Sequence, residues 1–132
     1  MRLRPNSGKL AGDPVDKKFK LSASDIQDIA PGHGGCIATD MITVEGRRVR
    51  FMYREAPSNE IDSGWRFLSG YESAEYMSDA ANHAIHDVNT IANYDRDIVP
   101  FLNAPVGSAY ERPEGDIFIK VDDVSPPEET LH

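Results

Sequence analysis

From Arg48 to Arg54 the chain alternates. Val49, Phe51 and Tyr53 fall on one side of an extended backbone, and Arg48, Arg50, Met52 and Arg54 on the other. A period of two predicts a strand with one packed face and one wet face. The stretch from Cys36 onward is also β-like, and Glu45-Gly46 supplies a turn between the two runs. After a polar loop, Ala56 to Gly64, comes a matching strand, Trp65 to Leu68, placed to close an antiparallel hairpin.

Beyond Gly70 the period changes. Ala74, Tyr76, Met77, Ala80, Ala81 and Ala84 recur at helical spacings, with Ser73 as the N-cap, and Asp79 and Asn82 mark where the helix weakens. A helical turn is expected over Asn89–Asn93. A second short helix is expected from the cap Asp95, carrying Ile98, Val99, Phe101 and Leu102, with Pro100 early enough to be tolerated. Upstream, Ser22 or Ser24 can cap a short helix through Ile29, stopped by Pro31-Gly32, and Gly32 to Gly35 form a loop. Pro113-Glu114-Gly115-Asp116 is turn chemistry inside a last hairpin. Strands, helices, then strands predict an α+β fold: an antiparallel sheet of about four to six strands with two or three short helices on one face. In such a sheet a lone tryptophan is first of all a core residue whose indole N–H needs one acceptor.

Length and charge refine this picture. The 132 residues suit one domain. Residues 1–20 carry Arg2, Arg4, Lys9, Lys17, Lys18 and Lys20 against Asp13 and Asp16, a net of +4, without apolar periodicity, and read as a flexible basic arm. The domain then occupies 21–121, and 122–132 is an acidic, Pro-containing tail expected to be disordered. The rest of the chain is strongly acidic within a total of −8, which disfavours nucleic acid and favours basic partners. No run is long enough to span a membrane, the N-terminus lacks a signal-type apolar stretch, and the single Cys36 fits a cytoplasmic setting.

Three chemistries are open to these residues. His33-Gly-Gly-Cys36 and His83-Ala-Ile-His86 together offer one thiol and three imidazoles, a set that zinc accepts if the chain folds them together. Cys36, His83 and Asp87 could in principle form a nucleophilic triad, but no GxSxG, P-loop, GxGxxG or HExxH occurs. The third is protein binding. Glu55, Glu60, Asp62, Glu72, Glu75, Asp79 and Asp87 face only Arg66 as countercharge and flank Trp65, Tyr71 and Tyr76. Acids around aromatic anchors suit a binder of a basic protein surface.

A resemblance adds to this reading. The segments ITVEGRRVRFMYREAPSNEIDSGWRFLSGYESAEYM and DVNTIANYDRDIVPFLNAPVGSAYER, within Gly35 to Lys120, are similar to the immunity-protein-thirty-three-like family of bacterial polymorphic toxin systems. The resemblance brings Tyr53-Arg54-Glu55, Asp62-Ser63-Gly64-Trp65-Arg66 and Asn89-Thr90-Ile91-Ala92-Asn93-Tyr94-Asp95 into a single domain. It implies a small cytoplasmic binder that neutralises a cognate toxin by occlusion, with no catalytic residue and no cofactor. The expectation is a non-enzymatic domain whose partner, a basic toxin, meets Asp62, Trp65, Arg66, Tyr71, Glu72, Glu75, Tyr76 and Asp79. Trp65 itself is expected to be structural and to lie close to that face. A zinc or small-molecule module built on His33, Cys36, His83 and His86 is the alternative, and an accessory domain without a toxin partner is a third.

Overall fold

The computed structural model describes residues 17–113 and 115–121. Its strands are β1 (Gly35–Thr39), β2 (Phe51–Arg54), β3 (Asp62–Leu68), β4 (His83–Asp87), β5 (Ala109–Glu111) and β6 (Ile119–Lys120). The helices are α1 (Asp40–Thr43), α2 (Ala74–Ser78) and α3 (Val88–Tyr94), with 3-10 turns at Ala23–Asp25, Ala80–Asn82 and Arg96–Phe101. The fold is α+β, as expected. The expected basic arm lies outside the described residues over 1–16, and so does the acidic tail over 122–132.

All six strands form one sheet in the order β4-β1-β3-β2-β5-β6. The hairpins β2–β3 and β5–β6 are antiparallel, but β1 runs parallel to β3, so the sheet is mixed. Parallel neighbours need a long crossover, and the chain from α1 through β2 provides it. Between the pairs Gly35–Asp62 and Ile37–Arg66 the register slips, placing a bulge at Ser63-Gly64. Gly64 has φ +91°, and a Cβ there would stand 2.1 Å from the carbonyl oxygen of Glu55, so only glycine fits.

Paired residues share a face of the sheet. Cys36, Ala38, Met52, Trp65 and Phe67 point toward α1, α3 and the Arg96–Phe101 turn, where Ile42, Val88, Ile91, Ile98 and Leu102 complete the core. Ile37, Phe51, Tyr53, Arg66, Leu68 and Ile85 point the other way. On that second side α2 lies beside Tyr53 and Leu68, with the 55–62 loop further along.

Two local expectations change. The alternation over 48–54 places Met52 on the wet face, whereas Met52 is fully buried and Phe51 and Tyr53 are only half-buried. Val49 is buried too, but it precedes the strand, held by its N–H to Asp95 Oδ2 at 3.0 Å, and so does not set the strand's phase. Arg54 is tolerated on the core side because its guanidinium reaches across the Trp65 ring and donates to the carbonyls of Ser63 and Ala104. Second, the β-like stretch from Cys36 is broken by α1: burial of Ile42 and the N–H groups of Val44, Glu45 and Gly46 closing on Asp40 and Ile42 carbonyls outweigh β propensity.

The most deeply buried charged group among the described residues is Arg112, which has no exposure. Its guanidinium pairs with Asp95 and Asp97, donates to the Val49 carbonyl at 2.8 Å, and lies 4.3 Å from the centre of the Phe118 ring. Asp95 in turn caps the Arg96–Phe101 turn. Arg112→Met leaves Asp95 as a buried charge without a counter-ion and is expected to cost about 3–5 kcal/mol in urea unfolding. Combined with Asp95→Asn the loss should shrink, because the stranded charge has gone. Equal losses for the single and double variants would contradict this account.

Candidate functional site

The motif residues sort into two sets: those that build the frame and those that face outward. Within Asp62–Arg66, the Asp62 carboxylate accepts from the Gly64 N–H at 2.9 Å, and Ser63 Oγ accepts from the Trp65 N–H at 3.1 Å. These local bonds hold the bulge that Gly64 makes sterically possible. Trp65 is buried on the core face, stacked on Phe67, and its Nε1–H donates to the Leu102 carbonyl at 3.1 Å. Its ring therefore does not reach the surface, because the strand phase turns it beneath the Arg96–Phe101 turn.

Arg66 sits on the opposite face, also buried, and is held by both Asp62 and Glu55. Its fork donates to Asp62 Oδ1 and Oδ2, both at 2.9 Å, and its Nε–H to Glu55 at 2.7 Å. Those bonds, supported by N–H groups of Ser58 and Gly64, hold the Asp62 carboxyl well below the usual carboxylate range. Glu72 is turned inward as well: it accepts from Thr39 Oγ1 at 2.5 Å and from the N–H groups of Ser69 and Gly70. Tyr76 is half-buried and donates to the Asn82 carbonyl. Of the eight expected contact residues, Tyr71, Glu75 and Asp79 are the exposed ones. Tyr71 carries Arg47 over its ring at 4.7 Å.

The four candidate metal ligands are not brought together. The helix expected to weaken at Asp79 and Asn82 ends at Ser78, Asp79 caps the Ala80–Asn82 turn, and His83–Asp87 continue as β4. On a strand, positions three apart face opposite ways, so His83 and His86 diverge where a helix would have aligned them. His83 turns toward the Met77 carbonyl, while His86 packs edge-on against Phe19. Among the described residues no three His, Cys, Asp or Glu are gathered in a way that could hold a metal ion. Cys36 is buried beside His86, and burial, reinforced by the Asp87 charge, pushes its thiol up and keeps it protonated. Burial and then the Lys17 charge push the His86 imidazole down, and its Nε2 has no hydrogen-bond partner among the described residues.

Sequence reasoning missed the residues that now stand out on the open side of the sheet. Ile85 is 79% exposed and Ile61 76% exposed, with half-buried Ile37 next to Ile85. Two shallow grooves of about 610 and 250 Å³ run on either side, and Ile37 and Ile85 line both. The signal was present in the alternation of His83-Ala84-Ile85-His86-Asp87, masked by the alanines that favoured a helix.

The Asp62 pairing makes stability depend on pH. A carboxyl whose folded value lies below its unfolded one contributes its full stabilisation above the ordinary value and loses it as pH falls through the folded value. Urea midpoints taken from about pH 5 down to about pH 2 should therefore drop. In Asp62→Asn the drop should be shallower, from a lower starting midpoint. Parallel curves for the two proteins would show that Asp62 is not a source of the acid sensitivity.

Among the described residues no helix is long and apolar enough to cross a membrane. No curated protein and no solved structure matches the chain. Residues 36–122, which include every framework motif described above, match the family model of the immunity protein Imm33 domain. The match takes in well over half of the chain, and the protein belongs to this family of immunity proteins, with a role in toxin immunity.

Proposed function

We propose that the protein neutralises a cognate toxin as a non-enzymatic binder, by covering a basic surface of the toxin with its own acidic and aromatic side. The observation that carries this reading is the exposed cluster beyond β3. Glu75 and Asp79 stand in solvent on the α2 side with Tyr71, and neither acid is ion-paired with a described residue. Tyr71 supplies an amphipathic anchor, and the acids supply attraction at a distance. Asp62, Trp65, Arg66, Glu72 and Tyr76 act in support: they fix the bulge, the Ser69-Gly70 turn and the start of α2, so that the exposed three are presented from a rigid base. Inhibition on this reading needs no bond made or broken. The protonated, buried Cys36 fits a chain that carries out no nucleophilic step.

Growth rescue by co-expression with candidate toxins identifies the partner, and surface plasmon resonance then measures its binding. Glu75→Lys/Asp79→Lys is expected to slow association about tenfold at low salt and to flatten the salt dependence, with dissociation less affected. Both positions are exposed, and loss of the Asp79 cap on the Ala80–Asn82 turn should lower the unfolding midpoint only modestly, by about 1 kcal/mol of stability. Unchanged association rates for a toxin that the protein does neutralise would overturn the acidic-side reading.

A further inference from the structure

The outer edge of the sheet carries more than the acids do. β4 is a terminal strand, paired only with β1. The Val88 N–H donates to the Gly34 carbonyl, which fixes the ladder phase. The hydrogen-bonded pairs are then Cys36–His86 and Ala38–Ala84. The Gly35 N–H confirms this phase by turning away from β4 to the Ile61 carbonyl at 2.8 Å. The N–H and C=O groups of Ile85 therefore point outward from the sheet, with no strand beyond them among the described residues. A free edge is a template for pairing, and natural edges are usually blunted by charge, proline or a covering element. Here the central residue of the edge is an isoleucine that is 79% exposed.

Three isoleucines make this edge an apolar surface. Ile37 and Ile85 are cross-strand neighbours on the open face, and Ile61 stands across the 250 Å³ groove from them. Next to these isoleucines, Glu60 and Asp87 are exposed and not ion-paired with any described residue, whereas Lys17, which lines the larger groove and reaches the His83 carbonyl, is already paired with Asp40. The surface is continuous with the acidic side through Asp62, which lines one groove, and Ala80 and Ala81, which follow Asp79 and line the other. An apolar centre inside a charged rim is the anatomy of a protein interface.

We infer that the β4 edge, with Ile37, Ile61 and Ile85, docks an extended basic segment of the toxin as an added strand. This rests on the immunity reading for the identity of the partner, but the docking chemistry is independent of it. Main-chain bonds to Ile85 supply register, alternate apolar side chains of the incoming strand fill the grooves, and flanking Lys or Arg residues meet Glu60 and Asp87. A second copy of this chain is the poorer occupant, because each copy carries a net charge of −8.

The probe is a short synthetic peptide alternating Val or Ile with Lys, titrated into the ¹⁵N-labelled full chain and followed by NMR. Two control peptides carry Glu for Lys, or N-methyl groups on one backbone edge. Shifts at Ile37, Ile61 and Ile85 and slowed exchange of the Ile85 amide are expected. Binding should fall about tenfold or more for either control peptide, and likewise in Ile85→Asp or Ile61→Asp, whose exposed positions tolerate the change. Absence of shifts at millimolar peptide, shifts confined to Tyr71–Asp79, or indifference to N-methylation would overturn the inference. So would a dimer in sedimentation that Ile85→Asp dissolves, since the edge would then serve self-association. Edge binding without rescue from any toxin would sink the immunity reading and leave the docking surface standing. Rescue that survives Ile85→Asp would do the reverse.

Discussion

A guanidinium with no access to water has to be fully satisfied, and Arg112 achieves this only if three other parts of the chain meet around it. Its partners are Asp95 and Asp97 at the turn after α3, the Val49 carbonyl before β2, and the Phe118 ring before β6. Asp95 holds the Val49 N–H with the same carboxylate that takes Arg112. The helical layer is thereby locked to the sheet at one point, and the Arg96–Phe101 turn is set down over Trp65, whose indole N–H donates to the carbonyl of Leu102 at the turn's end. A second buried guanidinium, Arg66, plays the matching part on the open face with Asp62 and Glu55. Between them the two arginines use the charged residues of several motifs for architecture.

The asparagines of the α3 motif work in the same way, but reach further. Asn89 accepts from the N–H groups of Ile29 and Ala30, Asn93 accepts from that of Gln27, and Tyr94 accepts from Leu21 and donates to the Thr43 carbonyl. These side chains strap residues 21–30 onto the domain, although that segment precedes the part matched by the family model. Lys17 extends the strap through its ion pair with Asp40.

Much of this was legible in the sequence. The hairpin of β2 and β3, the Ser73 cap, the Asp95 cap, the helical turn after Asp87 and the final hairpin all follow from short-range chemistry, and all are present. What could not be read depends on long-range pairing. Nothing local says that β1 runs parallel to β3, or that His83–Asp87 become an edge strand, since alanines at 80, 81 and 84 fit a helix equally well until β1 offers them a partner. The phase error at Met52 has the same origin: Val49 is buried by Asp95 rather than by the strand period. The candidate surface was half visible. That Tyr71, Glu75 and Asp79 are exposed follows from their polarity, whereas Ile85 is conspicuous only because its strand is the last in the sheet.

The domain thus divides into a frame, made from the motif charges and Trp65, and an outward side made of acids, Tyr71 and three isoleucines. Hydrogen–deuterium exchange of the chain, free and bound to the toxin that it neutralises, tests that separation most directly. Slowed exchange over 58–62 and 71–87, with 88–102 unchanged, is the predicted result. Protection concentrated on α3 and the Arg96–Phe101 turn, with the β4 edge exchanging as freely as before, would contradict it.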